Sequence, residues 1–406
     1  MNLFLKILAV ILFFEVQLDI IGKELSLNQA LDTAIANNHT VRSQELIAEY
    51  KSILKASGYT IEQAVLSVDY GQINSAFNDL KVNLSQRYEF PTVYAKQQAL
   101  LHQEWNAAVL STHQSIAELK KNVREIYYGL LLLQSREKML KEADSIYGEY
   151  VKISDIRLKQ GESNILEHAH HKIEQSAIQI QLQSVHSTLN IVKIQFQLLL
   201  NSAEAHVPEK EALNMRFSSD NAYNPQMHPY IQQVKQSIEI AKAKQALEEA
   251  RYLPDLHLGI SNQSIQGIGA DNILYPMSRR FTSFTVGVGI PHPFGAQQAI
   301  IEASKTSVKI SETEYEFQVK KISSELKAAK IARDSTLQTV RNIELHQLPL
   351  IKSVREAAEI QYKTGEISYL EWTLAMHHTI TIQSQYYDVL QQYYDLSNTV
   401  TYLEEQ

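Results

Sequence analysis

Four short segments of the chain alternate regularly between apolar and polar residues. They are residues 66–71, 80–90, 255–261 and 284–290. A period of two is typical of β-strands that have one apolar and one polar face. The first two segments and the last two are each separated by a polar loop, and the second loop is long and rich in glycine, asparagine and serine. The sequence therefore predicts two hairpins, at about 64–90 and 253–290.

A heptad-like apolar pattern follows each predicted hairpin. Residues 92–160 contain no proline, and apolar side chains recur there at spacings of three, four or seven, which predicts one long helix. At a rise of 1.5 Å per residue such a helix extends on the order of 100 Å. Residues 296–364 repeat the pattern, except that Pro349 should kink or break the second helix.

Short motifs recur in the same order in the two halves of the chain. Gln97–Leu100 returns as Gln297–Ile300, and Arg157–Glu162 corresponds to Gln361–Glu366. Each of the last two segments contains a glycine, the residue favoured just past a helix end. We expect each half to contain a helix, a hairpin, a long helix and a return helix, with the first helix at about 27–57. The predicted repeats are residues 23–200 and 227–406, joined by an irregular connector at 201–226.

The amino terminus has the pattern of a signal peptide. Lys6 precedes the apolar run Ile7–Phe14, and Gly22 offers a cleavage site before Lys23. The run is too short to span a bilayer, so residues 1–22 are expected to be an export signal, with an amphipathic or core helix as the alternative. No later stretch has the roughly 20 apolar residues of a membrane helix.

Composition excludes several classes of protein. The net charge of −7 and the lack of a basic cluster with interleaved aromatics argue against a nucleic-acid partner. Cysteine is absent, which excludes disulfides, thiol catalysis and lipidation at cysteine. No phosphate-binding glycine loop, nucleophile motif or zinc-binding helix motif is present, so we expect neither an enzyme nor a cofactor.

The hairpins suggest strands that cross a membrane. Their length of about 8–11 residues suits a tilted crossing, and aromatic residues gather at their ends, as in interfacial girdles. Four strands cannot close a barrel and open edges are not tolerated in lipid, so the chain should oligomerise, and two, three or four copies would all suffice. The alternative is a soluble periplasmic coiled-coil protein such as an adaptor, with the strands in a compact sandwich.

The chain resembles the TolC family of outer-membrane efflux proteins over essentially its whole mature length. The resemblance is carried by Arg157 four residues before Gly161, by Tyr362 three residues before Gly365, and by the junctions Arg251–Leu256 and Ile290–Ala296. More narrowly, Phe90–Tyr94 and Phe294–Gln298 are similar to the heavy-metal (CzcC/CusC-type) branch seen in Bacteroidetes.

The resemblance implies the fold, the partners and the function. It implies a mainly α protein with a transmembrane β-barrel, four strands and long antiparallel coiled-coil helices per chain, and an obligate homotrimer. It also implies contact with outer-membrane lipid, a periplasmic adaptor (membrane fusion) protein and an inner-membrane RND pump. The chain would then be a passive exit duct, with heavy-metal cations as cargo, and drugs or secreted proteins as the alternative.

The resemblance also assigns roles to particular residues. Glu167 and Glu371 each lie six residues after a tip glycine and are expected to form a periplasmic gate, with solvated surface charges as the alternative. The helix tips are the expected adaptor contacts: Arg157, Gly161, Glu162, Tyr362, Gly365 and Glu366. The polar strand face is expected to line the barrel lumen: Asp69, Lys81, Asn83, Arg87 and His257.

Five histidines lie close to the two tips: His168, His170, His171, His377 and His378. Imidazole is a good ligand for zinc and copper, and His168 and His171 share a helix face. An exit duct gains little from binding its cargo tightly, however, so we expect no metal site.

Overall fold

The computed structural model describes residues 23–74, 76–162, 164–202, 204, 206–209, 223–291 and 295–405. The expected signal peptide at 1–22 lies outside these residues. The chain divides into two units. Among the described residues, the helical unit comprises those up to Arg42, those from Ile116 to Tyr223 and those from Ser323 to Glu405. The sheet unit comprises Ser43–Ser115 and Asn224–Ile322.

The sheet unit contains the four predicted strands in one antiparallel sheet. Strands β2 (Val65–Gly71) and β3 (Asp79–Tyr88) form the first hairpin, and β5 (Asp255–Ser264) and β8 (Arg280–Gly289) form the second. The hairpins join through β3 and β5, so that the order in the sheet is β2-β3-β5-β8. The two halves of the sequence thus meet in one sheet.

The register places nearly all apolar strand residues on one face. Leu66 lies opposite Leu84, Leu84 opposite Ile260, and Ile260 opposite Phe284. Directly paired residues share a face of a sheet, and so do residues two apart along a strand. Because the alternation is in phase on all four strands, one face of the sheet is apolar and the other is polar.

The loop between β5 and β8 has more structure than its composition predicts. Strand β6 (Gly267–Ile268) pairs with β7 (Leu274–Tyr275) in a small antiparallel hairpin. Asp271 fixes the turn between them, because its carboxylate accepts hydrogen bonds from the backbone N–H of Ile273 and from the hydroxyl of Tyr275.

The first predicted helix is two helices. Helix α1 (Leu27–Asn37) ends before Asn38, and α2 (His39–Leu54) continues into a 3₁₀ turn at Lys55–Tyr59. The Asn38 side chain accepts hydrogen bonds from the N–H groups of Thr40 and Val41 at 2.9 and 3.4 Å, and thereby caps α2. Asparagine side chains compete with the helix in this way for backbone N–H groups. The prediction of one helix over 27–57 was wrong for that reason.

The long helices have the predicted order and similar bounds. They are α3 (Pro91–Lys159), α4 (Ile165–Leu200), α5 (Pro229–Ala250), α6 (Ala296–Asn342), α7 (Leu348–Thr364) and α8 (Tyr369–Leu403). Helix α3 runs for 69 residues without a break. A π-helical turn, Ile343–Gln347, separates α6 from α7 just before Pro349. Proline has no N–H to continue the α-helical ladder, which accounts for the predicted interruption.

The sequence predicted an irregular connector at 201–226, but part of it is a strand. Strand β4 (His206–Pro208) pairs in parallel with β1 (Lys23–Leu25). The buried Tyr127 of α3 ties this pair down, because its hydroxyl donates to the Leu25 carbonyl at 2.9 Å and accepts from the Glu209 N–H at 3.2 Å. The pairing is between distant parts of the chain, which local composition could not indicate.

The core of the helical unit is rich in tyrosine. The rings of Tyr128 and Tyr394 stack with their centroids 4.6 Å apart, and Tyr127 packs edge-on against Phe196. Leu130, Leu140 and the other apolar residues of the heptad-like pattern surround them. Of the helices that the structure describes, none combines the length and the apolar character needed to cross a membrane.

We predict that Asn38→Ala destabilises the helical unit. The substitution removes the cap of α2 and also the hydrogen bond that the amide nitrogen of Asn38 donates to the Leu199 carbonyl at 3.2 Å. The loss of a capping side chain costs about 0.5–2 kcal/mol of unfolding free energy. A lower melting temperature, followed by circular dichroism in detergent, is the expected result. Asn37→Ala changes an exposed neighbour and should leave the melting temperature close to that of the wild type; equal effects would contradict the cap.

Candidate functional site

Two helix-ending turns with the same backbone geometry lie in the helical unit. Gly161 and Gly365 both have left-handed backbone conformations, with φ of 77° and 80°. In the first turn the N–H of Glu162 donates to the Arg157 carbonyl at 2.9 Å. In the second the N–H of Glu366 donates to the carbonyl of residue 361 at 2.8 Å. The internal repeat is therefore matched at the level of hydrogen bonds at these two tips.

The return helices begin with equivalent caps. The Asn164 side chain accepts from the Glu167 N–H at 2.9 Å, and the Ser368 hydroxyl accepts from the Glu371 N–H at 3.3 Å. Such caps stabilise helix starts by satisfying N–H groups that have no partner within the helix. Glu167 and Glu371 are thus structural counterparts, each at the third position of its helix.

The side chains of these two glutamates have different surroundings. Glu167 is buried, and its Oε1 atom lies 3.3 Å from a guanidinium nitrogen of Arg157. The same oxygen accepts a hydrogen bond from the hydroxyl of Tyr362. Burial and this bond to a carboxylate raise the pKa of Tyr362. Glu167 of the first half therefore holds the end of α7, in the second half.

Glu371 is exposed to solvent and caps its own helix. Its Oε2 atom accepts from both the N–H and the hydroxyl of Ser368, each at 2.8 Å. These hydrogen bonds, that of the backbone N–H first, lower the pKa of the carboxyl. Among the described residues, the Glu371 carboxylate forms hydrogen bonds only with Ser368. Its solvent-exposed side is therefore available to other molecules.

An aromatic cluster surrounds His171 next to Glu167. His171 is fully buried on α4, one turn after Glu167, and its ring lies 5.2 Å from that of Trp372. The other rings around it belong to Tyr150, Tyr362 and Tyr369. Neither ring nitrogen of His171 has a hydrogen-bond partner among the described residues. Burial, followed by the neighbouring histidines His168 and His170, lowers its pKa to about 4, and Glu167 opposes that shift.

Sequence reasoning did not predict this cluster. The signals were the spacing of three between Tyr147 and Tyr150 and again between Tyr369 and Trp372, which places each pair on one helix face. What the pattern could not show is that the two faces meet at His171. The ring contacts are long-range, between α3, α4, α7 and α8.

The surroundings of the other tip histidines differ from those of His171. His168 lies against the buried Ser154, with Nδ1 and Oγ 3.0 Å apart. His377 and His378 are exposed neighbours on α8. In the part of the chain that the structure describes, no three histidine, cysteine, aspartate or glutamate side chains are arranged to hold a metal ion.

The five polar strand residues singled out in the sequence share one face of the sheet. Asp69 lies opposite Lys81, and Arg87 lies opposite His257. Asn83, two residues after Lys81, is on the same side. The face is polar along β2, β3 and β5, as the alternation predicted.

An ion-pair network on this face includes residues that the sequence did not reveal. The Nε atom of Arg87 lies 2.6 Å from Oδ2 of Asp255, and His257 Nε2 lies 3.2 Å from Oδ1 of the same carboxylate. Glu62 lies 3.4 Å from a second guanidinium nitrogen of Arg87. Asp255 lies two residues before His257 on the same strand, and this spacing could have placed it on the polar face. The network orients Arg87 over a polar, water-compatible surface.

Helix α4 also exposes an apolar stripe. Leu166, Ile173 and Ile180 recur every seven residues and are each about two thirds exposed within the chain. A stripe with this period is typical of a helix that packs against a neighbouring helix. Within the described chain, α4 thus presents a packing surface that its own unit does not cover.

No protein-family model matches the sequence, and no curated protein is similar to it. Solved structures are similar to this chain over most of its length. A crystal structure of CusC covers 95% of this chain and 93% of its own, with a TM-score of 0.78 and 17% identity. The CmeC outer-membrane channel of Campylobacter jejuni covers 93% and 85%, with a TM-score of 0.75 and 14% identity.

The open-state MtrE outer-membrane channel of Neisseria gonorrhoeae is similar as well. It covers 93% of this chain and 88% of its own, with a TM-score of 0.73 and 13% identity. At these identities the likeness establishes the fold. The chain has the fold of these channels, in agreement with the resemblance drawn from the helix tips and strand junctions.

We predict that His171 makes the helical unit less stable in acid. Its pKa is lowered in the folded chain from an ordinary 6.5 to about 4. The unfolded chain therefore binds a proton first as the pH falls, and stability is lost between about pH 6.5 and pH 4. The loss is on the order of 3 kcal/mol per chain. His171→Phe should flatten the dependence of the melting temperature on pH over this window.

His378→Phe is the matched control for this experiment. This variant also introduces phenylalanine, but in place of an exposed histidine of α8. Its melting temperature should keep the pH dependence of the wild type. If His171→Phe and the wild type lose stability in parallel between pH 7 and pH 4, the buried histidine does not contribute.

Proposed function

We propose that this chain is one protomer of an outer-membrane exit duct of a tripartite efflux system. The observation that carries the proposal is the sheet formed by β2, β3, β5 and β8. It has one apolar face without cover in its own unit, and the outer edges of β2 and β8 have no paired strand among the described residues. The likeness of fold to outer-membrane channels supports the same conclusion.

The uncovered apolar face fits a lipid environment. Phe284 is 79% exposed and Val286 72% exposed, and Leu66 on the opposite edge strand is 66% exposed. A contiguous apolar surface of this kind is costly in water and marks a site of protein or membrane contact. Outer-membrane strands present such residues to hydrocarbon and alternate them with polar residues that face the lumen. The alternation on all four strands matches that arrangement.

The open strand edges require further copies of the chain. In hydrocarbon, backbone N–H and C=O groups without partners are each costly, so spanning strands occur in closed barrels. Pairing of β8 in one copy with β2 in the next would satisfy both edges. We propose a homotrimer, in line with the family resemblance. The polar face, with Arg87 and Asp255, would then line the bore.

We propose the helical unit as the periplasmic part of the protein. The stripe of Leu166, Ile173 and Ile180 on α4 offers a surface for packing between copies. The two tip turns expose the charged side chains of Glu162 and Glu366, and we propose these turns as contacts for a periplasmic adaptor. Through that adaptor the duct would work with an inner-membrane RND pump.

The proposed cargo is heavy-metal cations. This step rests on the resemblance of Phe90–Tyr94 to the metal-efflux branch. The fold does not decide it, because the TM-scores to CusC and CmeC are similar, at 0.78 and 0.75. The lack of a metal-holding group among the described residues is compatible with cargo that passes without binding. The duct itself would carry out no chemistry.

Exchange of one residue on either face of β8 tests the membrane proposal. Val286→Arg places a charge on the apolar face, and arginine near the midplane of a bilayer costs about 2–4 kcal/mol. Thr285→Arg places the same side chain on the polar face of the same strand. We expect Val286→Arg to be lost from the outer-membrane fraction, and Thr285→Arg to be retained there after washing with high salt.

The same variants test function in a strain that lacks the gene. Thr285→Arg should restore the wild-type tolerance of the strain, and Val286→Arg should not. Zinc and copper tolerance supports the metal cargo, whereas a change in drug tolerance alone would transfer the proposal to drugs. Equal membrane partition of the two variants would contradict a lipid-facing role for the apolar face.

We further propose that the link between Glu167 and Tyr362 closes the periplasmic entrance. It joins the start of α4 to the end of α7, so that the tips of the two halves are held together. The guanidinium of Arg157, which contacts the same carboxylate oxygen, compensates its negative charge. The exposed Glu371 remains free to form, with its symmetry copies, a ring of carboxylates that attracts cations.

Tyr362→Phe is expected to raise the single-channel conductance several-fold. The substitution removes only the hydroxyl that donates to Glu167, and the loss of a hydrogen bond to a charged group weakens the link by about 1.5–3 kcal/mol. Tyr369→Phe removes a hydroxyl from the same cluster and should leave the conductance in planar bilayers unchanged. Replacement of both Glu167 and Glu371 by alanine should increase it further; unchanged conductance in that variant would rule out a gate at the tips.

A further inference from the structure

A cavity lies at the end of the sheet where the strands meet the helices. Its volume is about 560 Å³, within the range of sites that hold small molecules. Tyr88, Leu256 and Val288 form one wall. These three residues lie opposite one another on β3, β5 and β8 and are the last rung of the apolar face. The cavity is therefore continuous with the surface that we assign to lipid.

The other wall is built from the segments that lead into the helices. Tyr59 ends the 3₁₀ turn before β2, Phe90 directly precedes α3, and Pro91 and Tyr94 lie in its first turn. The hydroxyl of Tyr94 accepts a hydrogen bond from the Glu89 N–H at 3.0 Å, which fixes the ring across the start of the helix. This wall is shaped by backbone and aromatic rings and does not depend on flexible aliphatic side chains.

Apolar lining and location together select the occupant. An apolar cavity is not filled favourably by water, and an empty one forfeits contact with its walls. A cavity that opens into hydrocarbon is filled at least cost by a flexible hydrocarbon chain. The tyrosines on its walls are the residues that mark the level of the headgroups in membrane proteins. An acyl chain of the adjacent leaflet meets both conditions.

We propose that each chain binds one phospholipid at this site. One acyl chain of the lipid fills the cavity between the last rung of the apolar face and the start of α3. The proposal rests on the function proposed above, because it requires that the sheet lies in a bilayer. It adds a specific lipid site on the periplasmic side of the barrel.

Lipid retention by matched tryptophan variants tests the site. Leu256 lines the cavity, whereas Leu258, two residues along on the same face, does not, and the two are 40% and 39% exposed. The wild type, Leu256→Trp and Leu258→Trp are inserted into nanodiscs of equal parts phosphatidylethanolamine and phosphatidylglycerol. They are then moved into mild detergent, and native mass spectrometry counts the phospholipids on each oligomer.

The wild type and Leu258→Trp should each retain about one phospholipid per chain, and Leu256→Trp about fivefold less, because the indole fills the cavity. Val288→Phe and Val286→Phe form a second pair on β8, with the first in the cavity and the second outside it. This pair keeps the test valid if Leu256→Trp does not assemble. Equal retention by the two members of each pair would overturn the site.

The outcomes separate the site from the proposed function. A wild-type chain that does not insert into nanodiscs refutes the membrane duct, and the lipid site with it. A chain that inserts and forms oligomers but retains no phospholipid refutes the site alone. If Leu256→Trp in addition dissociates while Leu258→Trp does not, the cavity belongs to the contact with a neighbouring copy.

Discussion

Backbone hydrogen bonding at the two outer strands constrains everything else that we infer. Strands β2 and β8 each present one row of N–H and C=O groups that no described strand satisfies. In water such an edge invites aggregation, and in hydrocarbon it is not tolerated. The proposed closure by copies of the same chain would satisfy both edges. The proposed oligomer, its polar bore and the passive path for cargo all depend on that closure.

The internal repeat supplies the sheet but does not make the two halves equivalent. Both halves form the same glycine turn and the same helix cap, with matching hydrogen bonds at positions 204 residues apart. The glutamate at the third helical position is buried and bound across the halves in one case, and exposed in the other. Glycine conformation and capping are local requirements, so they are kept in both copies. The side chain beyond the cap responds to its neighbours, and these differ.

The parts of the structure that could be predicted from the sequence are those that depend on local pattern. The alternation on β2, β3, β5 and β8 fixed the faces of the sheet, and glycine fixed the ends of α3 and α7. The break at Asn38 was missed because the apolar pattern continues through it, while a single side chain decides the local hydrogen bonding. The β1–β4 pair was missed because parallel pairing joins segments about 180 residues apart.

The candidate gate shows the same division between local and long-range information. The resemblance indicated Glu167 and Tyr362 separately, and only the folded chain brings the hydroxyl to the carboxylate. His171 adjoins them without a partner for either ring nitrogen, which is costly for a buried polar group. A core that served stability alone would be better filled by phenylalanine at this position. Residues that reduce stability in this way gather at functional sites, where the arrangement is kept for another reason. The cost at His171 is therefore an independent argument that the tips of this molecule have a function beyond joining two helices.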